Sequence, residues 1–367
     1  MKFQIGVSEL TKALSRVQGI VEKKTTMPHL ANVLIEASDD NRIKVSATNL
    51  ELGLVGHYPA EVRTPGSIQL AGRALFEIVR SLPHASLTLE KAANNWVEIA
   101  SGKVSFKVVG SAAEGFPALP RFEEVPFFNI DPAVFREMID RTLFSVSTDE
   151  TRYNLTGVYV EPTGTGLRMV STDGHRLSLV ERAVEEKVPL KKGVIVPRKG
   201  VIELRKLLDD AGGPARIGFV ENSAVFERGE IVLTTQLLEG QFPDYQQVIP
   251  SSFSRKAYVE REAFREALKR TSLLASDKSQ SVRVDLRPGV LTLSANNPDL
   301  GEASEEIEVE FDGEPLRVGF NFRYLLDVLT VLPEGKVELS VSDALSPGLL
   351  RSEKAPDFRA IVMPMRL

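Results

Sequence analysis

The residues most able to do chemistry lie at 172–176, where the sequence reads TDGHR. This segment brings a carboxylate (Asp173), an imidazole (His175) and a guanidinium (Arg176) close together in sequence. An acid next to a base can form part of a hydrolase site, but no activated nucleophile and no third catalytic group accompanies them. The sequence also has no cysteine, P-loop, G-x-G-x-x-G or G-x-S-x-G motif. A hydrolase site therefore remains as one hypothesis, and a turn or a binding surface is the interpretation that we favour.

Histidine spacing gives no sign of a metal site. The chain has four histidines, His29, His57, His84 and His175. None of them has the i, i+4 spacing or the cysteine neighbours of a zinc site. We therefore expect no metal and no cofactor.

The C-terminal residues 361–367 read IVMPMRL. One interpretation is a frayed apolar tail. The other is a binding surface, because two flexible thioether side chains around a proline can adapt to several partners.

A repeat of about 120 residues runs through the whole chain. Residues 42–49, 167–174 and 290–297 resemble one another, with Ser46, Ser171 and Ser294 aligned. Each copy continues into a second matched segment, at 67–82, 193–208 and 315–332. Each also ends on a related phrase, at 114–117, 239–243 and 356–358. The sequence therefore predicts three copies of one domain.

Apolar residues recur with helical period in six segments, two in each repeat. These are 8–24, 72–82, 132–146, 198–210, 261–276 and 321–332. Together they carry a net charge of +6, whereas the rest of the chain carries −11, within an overall charge of −5. One charged helix face is usually only solvated. Repetition makes equivalent faces add into one surface, and a basic surface without base readout binds nucleic acid non-specifically.

Short segments of β-branched and alternating residues lie between the helices, as at 97–109, 157–161, 224–234 and 337–341. With turn residues between them, they predict an α+β fold with antiparallel sheets that helices cover on one face. Linkers are expected at 119–126 and 249–256. The 367 residues are 43% apolar and 26% charged, without a run of about 18 apolar residues, a signal peptide or cysteine. We therefore expect a cytoplasmic globular protein.

The sequence resembles the bacterial DNA polymerase III beta subunit family, the sliding clamps. The resemblance extends from Met1 to Leu367 and includes the repeat, STDGHRL at 171–177, EGQFPDY at 239–245 and VMPMRL at 362–367. It implies three clamp domains, at 1–121, 127–250 and 254–367, and a head-to-tail homodimer that closes into a six-domain ring around double-stranded DNA. It also implies a non-enzymatic processivity factor without a cofactor.

The family resemblance further implies three sets of site residues. A pocket for short peptides from the polymerase III alpha subunit, the clamp loader and other replication and repair proteins would comprise Leu155, Thr172, Gly174, His175, Arg176, Leu177, Pro243, Val248, Tyr324, Val362, Met363, Pro364 and Met365. DNA contacts would come from Lys24, Arg73, Arg152, Tyr153, Arg198 and Lys199. The dimer interface would contain Phe106, Val108, Leu273 and Leu274.

One position departs from the family pattern. Relatives often have a second aromatic residue after the tyrosine, whereas this chain has Asn154, with Glu150 earlier in the same loop. An adaptor that binds partner peptides but no longer encircles DNA is an alternative function. Such a protein would be expected to lose the basic helix faces or the interface residues, and this sequence keeps both.

Overall fold

The computed structural model describes residues 1–23, 25–120, 124–164, 166–209, 212–276 and 280–366. Contacts divide the chain into two compact units, Met1–Ala133 with Lys199–Leu237 and Val134–Arg198 with Leu238–Leu367. Each unit contains two sheets, and neighbouring strands in each sheet run antiparallel. The predicted α+β fold is confirmed. The predicted boundaries of the three repeats stay a prediction.

The described residues form six α-helices, one for each helical segment of the sequence. They are α1 Val7–Val17, α2 Gly72–Arg80, α3 Pro132–Leu143, α4 Arg198–Leu208, α5 Arg261–Thr271 and α6 Phe322–Val331.

The first unit has a five-stranded sheet and an eight-stranded sheet. In chain order its strands are β1 Lys2–Gly6, β2 Asn32–Ser38, β3 Arg42–Thr48, β4 Leu52–Pro59, β5 Glu61–Thr64, β6 Gly66–Ala71, β7 Ser86–Lys91, β8 Trp96–Ser101, β9 Val104–Val109, β10 Phe127–Ile130, and, after the segment that belongs to the second unit, β15 Ala215–Val220, β16 Ser223–Arg228 and β17 Ile231–Gln236. The sheet orders are β5-β1-β7-β8-β9 and β10-β15-β16-β17-β4-β3-β2-β6.

The second unit has an eight-stranded sheet and a four-stranded sheet. Its strands are β11 Gly157–Pro162, β12 Gly166–Thr172, β13 Arg176–Ala183, β14 Val194–Pro197, β18 Arg255–Glu260, β19 Ser281–Arg287, β20 Val290–Asn297, β21 Gly301–Glu308, β22 Leu316–Asn321, β23 Lys336–Val341, β24 Gly348–Ser352 and β25 Ala355–Val362. The sheet orders are β14-β11-β12-β13-β25-β24-β23-β18 and β21-β20-β19-β22.

Helix pairs cover one side of these sheets. In the first unit α1 packs on α2 and on β1, β3 and β4, while in the second unit α5 packs on α6 and on β18, β20 and β21. The apolar stripe of α1 is buried at Leu10, Ala13, Leu14 and Val17. Burial of such a stripe, rather than intrinsic propensity, holds short helices in place.

Two details differ from the sequence predictions. The helix predicted at 8–24 ends at Val17, although Ile20 and Val21 beyond it are also buried. A turn therefore buries the end of the stripe, which the period alone assigned to the helix. The segments 97–109 and 224–234 are not single strands. Each forms most of a β-hairpin, because Gly102 and Gly229, with φ of +58° and +56°, reverse the chain.

Candidate peptide-binding site

The TDGHR segment forms the tight turn between β12 and β13. Asp173 Oδ1 accepts hydrogen bonds from the backbone N–H groups of His175 and Arg176, at 2.9 and 3.0 Å. Thr172 Oγ1 donates to the Arg176 carbonyl at 2.6 Å and accepts from Gly174 N–H at 3.0 Å. Gly174 has φ of +87°, which favours glycine. The carboxylate of Asp173 thus caps a turn, as aspartate commonly does.

Arg176 connects this turn to α6 and to Phe144, the residue that follows α3. Its Nε donates to Asp173 Oδ2 at 3.1 Å, its Nη1 to Asp327 Oδ2 at 2.5 Å and its Nη2 to the Phe144 carbonyl at 2.5 Å. The guanidinium also lies over the Tyr324 ring, 4.3 Å from the centroid. Burial raises the pKa of Tyr324, and the nearby charge of Asp173 raises it further. With every arm of its fork bound, Arg176 fixes the position of α6 beside the turn.

The C-terminal segment crosses directly over the turn. Arg176 pairs with Val362 in the β13–β25 ladder. Beyond β25, Met363 N–H donates to the His175 carbonyl at 2.8 Å and Met365 N–H donates to the Gly319 carbonyl at 2.8 Å. Met363, Pro364 and Met365 remain partly exposed. The tail is therefore a fixed, half-open apolar edge and not a frayed end.

A second wall comes from the segment after β17. Its short helical turn, Tyr245–Val248, holds Val248 exposed and Tyr245 buried. The Tyr245 ring packs in a cluster with Leu177 and Ile361, and its hydroxyl donates to Glu161 and accepts from Arg168 Nη1, the latter at 2.9 Å. Burial raises the pKa of Tyr245, and so does its bond to Glu161.

An aromatic pair supports the same segment. The Phe242 ring stacks on Tyr159, with 4.9 Å between centroids and 6° between planes. Pro243 follows Phe242 directly and is exposed. The stacked pair therefore helps to fix the position of the neighbouring Pro243.

The loop Glu150–Leu155 closes the remaining side. Asp149 caps it by accepting from Thr151 N–H at 3.0 Å, and these contacts with Thr151 hold the pKa of Asp149 below its usual value. Arg152 pairs with Asp149 at 3.0 Å and lies so close to Gly174 that a Cβ there would be 2.8 Å from Nη1. Asn154, the residue that departs from the family pattern, donates to the Gln241 carbonyl at 3.0 Å. Asn154 thus connects this loop to the segment that contains Pro243.

The second unit therefore contains the whole predicted peptide set. Eight of these residues are joined by direct contacts: Thr172, Gly174, His175, Arg176, Leu177, Tyr324, Val362 and Met363. The other five are held by backbone bonds or lie in the same short segments: Leu155, Pro243, Val248, Pro364 and Met365. Sequence reasoning missed Asp327 and Phe144, which bind Arg176, and the support from Tyr159 and Tyr245. Asp327 could have been noticed because it lies one helical turn after Tyr324.

The first unit repeats the same turn at 48–52. Thr48 Oγ1 donates to the Leu52 carbonyl at 2.8 Å and accepts from Leu50 N–H at 3.0 Å. Leu50 has φ of +77°, close to that of Gly174. Thr48 therefore corresponds to Thr172, and the sequence alignment that matched Ser46 with Ser171 was wrong by one residue.

The corresponding chemistry is absent from that first turn. Leu52, which is 2% exposed, takes the place of Arg176. Gly200, third residue of α4, takes the place of Tyr324, third residue of α6, and a Cβ on Gly200 would be 2.8 Å from Thr235 Oγ1. Tight packing thus fills the space that an arginine and a tyrosine line in the second unit.

The residues predicted to bind DNA lie on two helices and one loop. Arg73 in α2 and Arg198 and Lys199 at the start of α4 are exposed, and neither helix has an acidic residue in its first turn. Arg152 is paired with Asp149, and Tyr153 is 52% exposed. Lys24 lies outside the described residues.

The predicted interface residues lie at two sheet edges. Phe106 and Val108 are half-buried on β9, which within the described chain pairs only with β8. Leu273, 78% exposed, and Leu274 form a short turn that contacts β21, the edge strand of the four-stranded sheet.

The described residues contain no group of three or more His, Asp or Glu side chains that could hold a metal ion. None of their helices combines the length and the apolar content needed to cross a bilayer.

Comparison with known proteins identifies the class. A sliding clamp from Bartonella birtlesii, solved bound to griselimycin, has a TM-score of 0.95 and 35% identity, with 100% of both chains covered. The Caulobacter crescentus beta sliding clamp, solved with polyethylene glycol bound to a putative beta-motif tethering region, has a TM-score of 0.95 and 36% identity over 100% of this chain and 99% of the other. The fold is that of a DNA sliding clamp.

Family models cover nearly the entire chain. Residues 1–120, 129–244 and 246–366 match the N-terminal, central and C-terminal domains of the DNA polymerase III beta subunit. The beta sliding clamp of Caulobacter vibrioides is 36% identical over 373 residues, covering 100% of both sequences. The chain therefore belongs to the DNA polymerase III beta subunit family. Its function is that of a sliding clamp in DNA replication, a processivity subunit and not an enzyme.

Proposed function

We propose that two copies of this chain close head to tail into a ring around double-stranded DNA and that the pocket built on Arg176 tethers polymerase III alpha subunit, clamp loader and repair proteins through short peptides. We also propose that it works in the cytoplasm. The observation that carries the ring is the presence of two open sheet edges with opposite charge, one in each compact unit.

The two edges suit one another. Lys107 lies on β9 and Lys103 directly precedes it, whereas Glu302, Glu306 and Glu308 lie on β21. An open edge strand invites pairing, and proteins normally cover or charge such strands. Because the edges differ, a contact between them is heterologous, and it ends in a closed ring only if two copies complete the rotation.

Apolar side chains support the same pairing. Phe106 and Val108 project on the half-buried face of β9, and Leu273 next to β21 is 78% exposed. Charged groups around an apolar centre are the usual anatomy of a specific interface. We infer that these residues form the centre of the seam.

DNA contact is favoured by the starts of α2 and α4. Cations in the first turn oppose the helix dipole, so Arg73, Arg198 and Lys199 are unfavourable for the helices themselves. An anion at this place is attracted both by the side chains and by the positive end of the helix dipole. We propose that DNA phosphates are these anions. Arg152 and Tyr153 would make weaker contacts, because Asp149 already offsets the charge of Arg152.

Peptide binding is favoured by the chemistry of the residues around Arg176. Its floor is buried and apolar at Leu177 and Val362, its rim carries the exposed Pro243 and Val248, and its tail supplies two methionines. Adaptable methionine-rich surfaces suit several partners in turn. The filled counterpart at Leu52 and Gly200 supports one such pocket per chain, so partners would compete for it.

The deciding experiment is retention on DNA. The protein is loaded by its clamp loader onto nicked circular DNA at a salt concentration that screens phosphate contacts, and the DNA is then cut. A closed sliding ring stays on circles and leaves linear ends. Equal loss from both forms would mean ordinary electrostatic binding and would reject the ring.

A further inference from the structure

A half-open cavity beside Tyr245 is separate from the peptide set. Its volume is about 490 Å³, and cavities of roughly 300–1,000 Å³ hold small molecules. Its lining comes from β12, from β13, from the residues between 245 and 251 and from the first half of β25, all within the second unit. None of the residues predicted to bind peptide lines it. The cavity is therefore a second candidate site in this unit.

One wall of the cavity is apolar. Leu179 of β13 is 7% exposed, and Ile249 and Pro250 are half-buried. Ile249 packs against the same buried cluster that contains Leu179. Leu179 pairs with Arg359 of β25, and directly opposed residues of an antiparallel pair lie on the same face of the sheet. A guanidinium therefore lies next to the apolar wall.

Three of the four charged lining residues already have partners. Arg168 donates to Glu181 through Nε and Nη2, at 3.1 and 2.7 Å. Asp357 pairs with an arginine of α3 at 3.8 Å and with an arginine of β13. Arg359 is exposed, and within the described chain its guanidinium has no hydrogen bond and no ion pair. The unbalanced charge at the cavity is thus positive.

Neutral polar groups complete the lining. Gln246 and Ser251 are exposed at the cavity. Burial raises the pKa of Tyr245, and a hydrogen bond with the Gln246 side chain lowers it in part, so this amide lies beside the phenol. An amide N–H and a hydroxyl can each donate to a carboxylate oxygen. Both groups are therefore further donors for an anion in the cavity.

We infer that this cavity binds a small amphipathic anion, an aromatic carboxylate whose ring packs on Leu179, Ile249 and Pro250 and whose carboxylate pairs with Arg359. The inference goes beyond the proposed function and does not depend on it. A guanidinium suits a carboxylate because its planar fork can donate two parallel hydrogen bonds. A cationic ligand would meet the free charge of Arg359, whereas the carboxylates of Glu181 and Asp357 are already neutralised. The ligand is therefore an anion and not a cation.

Three probes of similar shape test the inference: naphthoate, its neutral amide and the cation naphthylmethylammonium. Each is bound to the full-length protein and measured by equilibrium dialysis. We expect one naphthoate per chain, with an affinity about tenfold above that of the amide and still further above that of the cation. A saturating peptide from the polymerase should not displace naphthoate, because the two sites share no lining residue.

Substitutions locate the charge. Arg359→Gln should reduce naphthoate binding to the level of the amide, and Arg359→Glu should make the cation the preferred probe. Since Arg359 is exposed and unpaired, both variants should unfold in urea as wild type does. Arg287→Gln, at an exposed arginine of β19 outside the cavity, should bind all three probes like wild type.

Several results would overturn the inference while leaving the proposed function intact. They are absence of naphthoate binding, equal affinity for naphthoate and its amide, displacement of naphthoate by the peptide, and equal binding by Arg359→Gln and Arg287→Gln. Conversely, a protein that binds naphthoate through Arg359 but neither binds the peptide nor stays on circular DNA would reject the proposed function and keep the inference.

Discussion

The backbone N–H of Met363 donates to the carbonyl of His175 at 2.8 Å, so the last strand of the chain is joined to the one turn that carries an acid, a base and a cation. This bond, and that of Met365 to Gly319, turn a potential frayed end into a wall of the pocket. The turn, which differs from its counterpart at 48–52, is thus held against the tail in the proposed peptide site.

Removal of residues 363–367 should abolish peptide binding without opening the ring. The deletion takes away one wall and both backbone bonds, while Val362, the end of β25, stays. We expect a loss of at least ~2 kcal/mol, or ~30-fold, for a short peptide from the polymerase, measured by fluorescence polarisation. Arg366→Ala changes the exposed side chain of the tail and keeps both bonds, so it should bind like wild type. Equal affinity of the deletion and the control would show that the tail is not part of the pocket.

Arg176→Ala should destabilise the protein as well as weaken peptide binding. The side chain is 11% exposed, and its removal leaves Asp327 without its guanidinium partner and Asp173 with only its backbone N–H bonds. Breaking such pairs typically costs about 2–4 kcal/mol. Urea unfolding measures this loss, with Arg323→Ala, an exposed position on the same helix, as the control expected near zero. Arg176→Lys should bind peptide poorly too, because lysine cannot satisfy three acceptors at fixed angles.

The helices were predictable from the sequence, whereas the contacts of Arg176 were not. Burial of Leu10, Leu14 and Val17 at helical spacing follows from the period. The role of Arg176 depends on Asp327 and on the carbonyl of Phe144, which lie 151 and 32 residues away along the chain. No periodic pattern connects such distant groups. The residues alone indicated possible binding surfaces at the turn and at the tail, and only the family resemblance joined them with Tyr324 into one site. The bond of Asn154 to Gln241 shows the same limit, since the sequence marked this position only as a departure.

Leu273→Asp should convert the dimer into a monomer. It places a charge at the proposed centre of the seam, where a buried unpaired carboxylate costs several kcal/mol. Sedimentation would detect the change, and peptide affinity should remain, because the pocket lies in another part of the unit. Leu345→Asp is the matched control, since that side chain is 73% exposed and outside the seam. If both variants stayed dimeric, the third-domain edge of the seam would have to be sought elsewhere.

Replacing Arg73, Arg198 and Lys199 with alanine should weaken DNA contact without preventing ring closure. Each lost phosphate contact should reduce the slope of log binding constant against log salt by about 1. The measurement is binding to short linear duplexes at several salt concentrations, where retention by closure does not contribute. Lys191→Ala with Lys192→Ala, exposed in a loop, should leave the slope unchanged. An unchanged slope in the triple variant would remove these helix starts from the DNA surface.

The pocket wall should weaken in alkaline solution because of Tyr245. Burial raises the pKa of this phenol, and Glu161 raises it further. Below pH ~10 the phenol keeps its proton in both folded and unfolded chains. Above that pH the unfolded chain loses the proton first, so the free energy of unfolding falls as pH rises through the folded-state pKa. Burial also raises the pKa of Tyr159 and Tyr324, so both phenols add to the loss of stability.

Tyr245→Phe should therefore be less stable than wild type at pH 7, by ~1–2 kcal/mol for its lost hydrogen bonds. Its free energy of unfolding should nevertheless fall less steeply than that of wild type between about pH 9.5 and 11. Urea unfolding at a series of pH values measures both effects, and Tyr153→Phe, at a half-exposed phenol, is the control. A decline in Tyr245→Phe as steep as that of wild type would mean that this phenol does not contribute to the alkaline loss of stability.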